Sequence, residues 1–195
     1  MTLHDQAMER FQAALERARN DERIIEPTAM TLATALPDGR PSARTVLLKQ
    51  VDRRGFVFYT NTLSRKGRQL AANPRAALAF FWAPLAEQVL VEGDVEPVTA
   101  EEADTYFRSR PRLSQIGAWA SEQSQPLDDR ETLVRRVEEF ERRYGDDPVP
   151  RPPHWSGYRV RPDLIEFWAG KAGRLHERDR YWREAGEWCH TLLNP

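Results

Sequence analysis

Arg44-Thr45-Val46-Leu47-Leu48-Lys49 is followed by Asp52-Arg53-Arg54-Gly55, by Phe56-Val57-Phe58-Tyr59-Thr60 and, a few residues on, by Ser64-Arg65-Lys66-Gly67. β-Branched and aromatic residues fill the first and third segments, and a glycine-containing turn separates them, which predicts a β-hairpin. A cation stands at each end of the first strand, and a cationic pair follows the second. Fixed cations on rigid strands suit a phosphorylated ligand, whereas solvated strand edges would account for Arg44 and Lys49 equally well.

Upstream, Met8, Phe11, Leu15 and Ala18 recur at helical spacing, predicting an amphipathic helix over 4–20 within an N-terminal helical segment, 1–25. Ala29–Leu36 reads as a strand and Pro37-Asp38-Gly39-Arg40 as a tight turn. Downstream, Ser64 caps a short helix over 65–72 that Asn73-Pro74 stops. Arg65 and Lys66 then oppose the helix dipole, an arrangement that a bound phosphate would relieve, with solvated surface charge as the alternative. Ala76–Trp82 and Glu87–Val98 are strands, the second bent or bulged at Gly93-Asp94. Thr99 and Glu102 form a capping-box pattern for a helix to about Ser109, which Pro111 breaks or restarts. Tyr106, Arg110 and Ser114 share a face only along a kinked path. They form either a phosphate clamp or a helix end whose arginine caps a carbonyl.

Gln123–Pro126 is a polar loop. Asp128 or Asp129 opens a helix carrying Leu133, Val137, Phe140 and Tyr144, closed by Gly145. Asp147–Pro153, with four prolines, is a stiff connection. Tyr158–Arg161 and Leu164–Trp168 read as short strands, and Leu175–Arg183 with Trp188–Leu193 as a final hairpin. The sum is a single domain, 1–195, mainly β with peripheral helices. Seven or eight strands joined by short turns form an antiparallel sheet closing into a barrel. No Gly-x-Gly-x-x-Gly follows a strand and no P-loop is present, which argues against a doubly wound dinucleotide fold.

Composition sets the outer bounds. Hydrophobic content of 40% and charged content of 30% belong to an ordered globular chain. A net charge of −1 offers no global field for nucleic acid, so any anion site must be local. Cys189 is the only cysteine, and no cluster has metal-ligand spacing. No apolar run is long enough to span a bilayer, and the N-terminus lacks a signal-peptide core, so a cytoplasmic protein is expected.

Arg174-Leu175-His176-Glu177-Arg178 is the second unusual stretch. In a strand, Arg174, His176 and Arg178 would point to one face. That arrangement is costly unless something anionic or electron-rich lies against it, or Glu166, Glu177 or Asp179 neutralises it.

These motifs occur in order with Phe58-Tyr59-Thr60-Asn61, with Ser109-Arg110-Pro111-Arg112-Leu113-Ser114-Gln115-Ile116-Gly117-Ala118-Trp119 and with Ile165-Glu166-Phe167-Trp168. From about Pro27 to Pro195 the sequence resembles the pyridoxine/pyridoxamine 5′-phosphate oxidase family of flavin enzymes. The resemblance implies an FMN-binding split β-barrel acting as a homodimer, with FMN at the subunit interface. It also implies oxidation of pyridoxamine or pyridoxine 5′-phosphate by O2, with hydride passing from substrate C4′ to flavin N5. By the same resemblance, FMN is held by Arg44, Thr45, Val46, Leu47, Leu48, Lys49, Tyr59, Thr60, Arg65, Lys66, Gln88, Gln123, Ser124, Trp168 and Arg178. Substrate is held by Lys49, Tyr106, Arg110, Ser114, Arg174, Leu175 and His176, with Arg174 and His176 at the reacting ring; Glu26 is a weaker candidate. Many members carry an N-terminal basic segment that can fold over the substrate; this sequence starts just before its first helix, so either a more open site or cover by another element is expected. Two rival functions are a related split-barrel oxidase of an unphosphorylated tricyclic substrate and a non-catalytic FMN-binding module.

Overall fold

The computed structural model describes residues 1–195. Helix α1 (Leu3–Arg19) opens the chain with a Thr2–Asp5 capping box. Strands β1 (Ala29–Ala35), β2 (Pro41–Leu47), β3 (Gln50–Asp52) and β4 (Gly55–Asn61) lead to α2 (Arg65–Ala72), capped by Ser64. Then come β5 (Arg75–Trp82), β6 (Glu87–Pro97), α3 (Ala100–Ser109), α4 (Arg112–Ala120), α5 (Arg130–Tyr144) and the strands β7 (Trp155–Ala169), β8 (Glu177–Glu184) and β9 (Glu187–Leu192). No helix is long and apolar enough to cross a membrane.

All nine strands form one antiparallel sheet, ordered β2-β1-β5-β6-β7-β4-β3, with β8 and β9 branching from β7. The sheet curls into a half-barrel, and α1 plugs it. Ala7, Met8, Phe11, Ala14, Leu15 and Ala18 are all buried on one helical face. Phe11 meets Phe56 edge-on at 4.8 Å and Phe80 at 5.0 Å. Burying such a side chain contributes about 1.5–3 kcal/mol.

Two strand expectations are corrected. Arg44–Leu47 does not pair across the Asp52–Gly55 turn. Strand β2 pairs along its whole length with β1, through the Pro37–Arg40 turn, and the short β3 is the partner of β4. The chain switches partners at one step, where the Leu48 N–H donates to Thr28 O and the Lys49 N–H to Val57 O. Tyr158–Arg161 and Leu164–Trp168 are also not separate strands but parts of one 15-residue strand. Its first half pairs with β4 and its last with β8, while β6 runs along the other side. Pro162, which has no N–H to donate, sits between the β4 and β8 pairings, where the register with β6 shifts at Glu92/Gly93. Gly93 is required there, because a Cβ would lie 1.9 Å from Arg161 O.

Strand β7 also anchors α3. Arg159 is only 2% exposed and donates to Glu102 Oε1 at 2.7 Å and Asp52 Oδ1 at 3.3 Å. Arg54 bridges the same two acids at 3.0 and 2.8 Å. Glu102 is also the capping-box acid of α3, so the helix start is fixed by its own cap and by the sheet.

Gly93→Ala should cost about 1–3 kcal/mol of stability in urea unfolding. Gly117→Ala, in helix α4 with nothing within 4 Å of the new Cβ, should instead stabilise by about 0.5–1 kcal/mol. Equal responses would contradict the close crossing at Gly93.

Candidate active site

A cavity of about 520 Å³ opens between β2, β4, the first turn of α2 and the corner joining α3 to α4. Arg44, Lys49, Lys66 and Arg110 line it, and no acidic residue does. Arg44 donates only to neutral oxygens: Leu32 O at 3.2 Å, Thr34 Oγ1 at 2.6 Å, Ser42 Oγ at 2.6 Å and Gln69 Oε1 at 3.1 Å. Lys66 Nζ donates to Thr60 Oγ1 at 3.1 Å, Ser64 Oγ at 3.3 Å and Gln123 Oε1 at 2.8 Å. Burial, and after it Arg65, pulls Arg44 below the ordinary guanidinium value; burial and then Arg44 likewise lower Lys66. Arg110 is lowered by burial, and its buried Nη1 has no hydrogen-bond partner.

The far wall is aromatic. Tyr59 stacks on Tyr106 at 4.1 Å and on Trp155 at 5.3 Å, and the Arg110 guanidinium lies 4.8 Å from the Trp155 ring centre. Pro111 ends α3 and acts as N-cap of α4. Gln115 Nε2 donates back across this corner to the carbonyls of Phe107, Arg108 and Arg110 at 3.1, 3.2 and 3.0 Å. The kinked path expected from Pro111 is therefore pinned, and it brings Tyr106, Arg110 and Ser114 to one cavity.

Of the other candidates, Thr45, Val46, Leu47, Tyr59, Thr60 and Gln123 line the same cavity. Leu48 points away into the core. Arg65 is exposed at the start of α2, and Ser124 is exposed beside Gln123, with a left-handed φ of 71°. A second group stands apart and lines no part of the cavity. The register Gln88↔Trp168↔Arg178 puts three of its members in one row across β6, β7 and β8. Arg178 is held by the buried Glu166 at 2.7 Å.

The strand face expected for Arg174, His176 and Arg178 is not formed. Gly173 and Arg174 both have left-handed backbones (φ 67° and 62°), so the chain turns there and β8 begins only at Glu177. Arg174 and Leu175 are exposed. His176 packs 4.7 Å from the Trp168 ring, and its Nδ1 accepts from the Lys171 N–H, which leaves the proton on Nε2. Glu26 lines no part of the cavity and accepts from Thr28. Sequence reasoning missed Trp155, Asn61 and Gln69. Trp155 follows a proline-rich connection and shows no periodicity, while Gln69 looks like any polar helix residue.

The family model described as pyridoxamine 5′-phosphate oxidase matches residues 17–144. A second, the pyridoxine 5′-phosphate oxidase C-terminal dimerisation region, matches 155–195. The pyridoxine/pyridoxamine 5′-phosphate oxidase of Alkalilimnicola ehrlichii is 57% identical over 100% of both chains. That of Myxococcus xanthus is 59% identical over 96% of this chain and 91% of its own. Among solved structures, PhzG from Burkholderia lata, in complex with tetrahydrophenazine-1-carboxylic acid, superposes with a TM-score of 0.87. It is 36% identical and the match covers 96% of this chain and 90% of PhzG. An FMN-binding protein of Nostoc punctiforme shares the fold at a TM-score of 0.76 and 18% identity, covering 96% of each chain.

Burial disfavours the Lys66 ammonium, so without an anion beside it the proton is lost below the ordinary lysine value of 10.5. An anion beside Lys66 needs that proton. Affinity of the flavin-free protein for FMN, followed by titration calorimetry, should be full at neutral pH and decline as pH rises, with the decline starting below 10.5. Lys66→Arg should move the decline upward. A profile flat to that pH would contradict the assignment.

Proposed function

Since the chain belongs to the pyridoxamine 5′-phosphate oxidase family, we propose that it oxidises pyridoxamine 5′-phosphate and pyridoxine 5′-phosphate to pyridoxal 5′-phosphate, using FMN and O2 and releasing H2O2. The observation that carries this reading is the acid-free cavity in which Arg44 and Lys66 are held by neutral groups. Such a donor set fits phosphate monoesters: positive charge is left over, and Arg110 Nη1 lacks a partner.

Two phosphates have separate places in this reading. Arg44 and Lys66, with Arg65 at the start of α2, take the FMN phosphate. Thr45 to Lys49, Tyr59, Thr60, Gln123 and Ser124 complete that side of the cofactor. Lys49, Tyr106, Arg110 and Ser114 take the substrate phosphate. When bound, FMN would supply the redox chemistry, serving as the two-electron acceptor for oxidation at substrate C4′ with O2 as the final oxidant. Gripping the phosphate, remote from the reacting carbon, uses binding energy to align that carbon. The stacked Tyr106, Tyr59 and Trp155 rings hold the clamp rigid.

Gln88, Trp168, Arg178, Arg174, Leu175 and His176 act from the other subunit of a homodimer. Support comes from their separation from the cavity and from the dimerisation-region match, which contains all of them but Gln88. FMN then lies at the interface. The backbone-fixed tautomer lets His176 donate from Nε2 to the substrate, and Arg174 offsets negative charge developing on the ring.

A second reading, oxidation of an unphosphorylated tricyclic acid, is raised by the likeness to PhzG. The unpartnered Arg110 and the adjacent Ser114 favour a phosphate instead. Purified protein given pyridoxamine 5′-phosphate in air should form aldehyde and peroxide. Turnover only with the tricyclic acid, or flavin binding without turnover, would refute the proposal. Arg110→Ala should raise KM about 10- to 100-fold with FMN retained, as expected for losing hydrogen bonds to a charged group. Parallel loss of flavin would place Arg110 in the cofactor half.

A further inference from the structure

Gln69 is 3% exposed and lies one turn beyond Lys66 on the same face of α2. Its Oε1 accepts from Thr34 Oγ1 at 2.7 Å, Ser42 Oγ at 2.8 Å and Arg44 Nη2 at 3.1 Å. The same two hydroxyls also accept from Arg44. One amide oxygen thus ties α2, β1 and β2 together around a single guanidinium. Outside the cavity, arginine contacts with buried groups use carboxylates instead: the buried Arg159 takes Glu102 and Asp52, and Arg178 takes the buried Glu166. A carboxylate at position 69 would make the same contacts and cancel the charge.

We infer that Gln69 is a positioning residue that aims Arg44 into the cavity while leaving its charge free for the cofactor phosphate. The inference rests on reading Arg44 as a ligand of that phosphate. Gln69 touches neither cofactor nor substrate; it sets how strongly the site prefers a phosphorylated flavin.

The test compares FMN with riboflavin, which lacks the phosphate, on flavin-free wild type, Gln69→Glu, Gln69→Met and Arg44→Ala. Dissociation constants come from flavin fluorescence and thermal midpoints from calorimetry. Gln69→Glu should weaken FMN binding about 100-fold, the scale of one added charge a few ångströms from a phosphate. Riboflavin affinity should be unchanged, and the flavin-free variant should melt at a higher temperature because the introduced carboxylate pairs with Arg44. Gln69→Met, which removes the acceptor without adding charge, should weaken FMN about tenfold and lower the midpoint. Opposite shifts in melting with losses of the same sign in FMN affinity are not the signature of a purely structural glutamine. FMN affinity within about threefold of wild type in both Gln69 variants, with Arg44→Ala defective, would overturn the inference and spare the Arg44 reading. Unchanged FMN affinity in Arg44→Ala would overturn both.

Discussion

Positive charge held by uncharged oxygens is the constraint around which this protein is built. Removing a cation from water is expensive, and proteins usually offset it with a nearby carboxylate. The buried Arg159 follows that habit, in contact with Asp52 and Glu102. Arg44, Lys66 and Arg110 do not: their partners are carbonyls, hydroxyls, amides and an aromatic face, and one Arg110 nitrogen has none. The fold by itself carries this unbalanced charge in a cavity without acids. A dianionic ester entering it relieves repulsion between cations as well as forming new bonds.

Holding like charges together requires stiff supports, and the fold provides them on both sides. Arg44 and Lys66 sit on β2 and α2, which the Gln69 network joins, against a sheet whose interior α1 fills through Phe11. Arg110 ends α3, a short helix that could not hold its position alone. Its first turn is tied through Glu102 to Arg159 on β7 and to Arg54 in the turn between β3 and β4, and its last carbonyls are tied to α4 through Gln115. The paired charges of the Arg159 cluster thus serve the unpaired ones. By contrast, Gln123 and Ser124 are exposed on a loop, so the site closes on one side through a segment with few packing constraints.

Much of this was legible in the chain. Local signals with a short physical range were read correctly: the Ser64 cap, the Thr99–Glu102 capping box, the break at Pro111 and the irregularity at Gly93. Strand partnership was not local, and there the reading failed. Residues 44–47 have turns on both sides, and nothing in their alternation says which neighbour they join; the Leu48–Lys49 step decides it through two long-range hydrogen bonds. Tyr158–Arg161 and Leu164–Trp168 read as two strands, but the fold makes them one and places Pro162, which lacks a ladder donor, where one edge of β7 changes partners. The alternation assigned to Arg174, His176 and Arg178 broke on a left-handed Gly173-Arg174 turn. For the site, the cationic positions were visible by residue type. The neutral partners that make them useful, Gln69 above all, were not, because a buried amide and an exposed one look alike in sequence.

A crystal structure of the protein with FMN and pyridoxal 5′-phosphate would decide which groups hold the two phosphates. The flavin phosphate should lie between Arg44 and Lys66 and the second phosphate against Arg110 and Ser114, with no carboxylate within contact of either. A flavin bound elsewhere, with Arg44 and Lys66 turned to solvent or paired with acids, would contradict that placement.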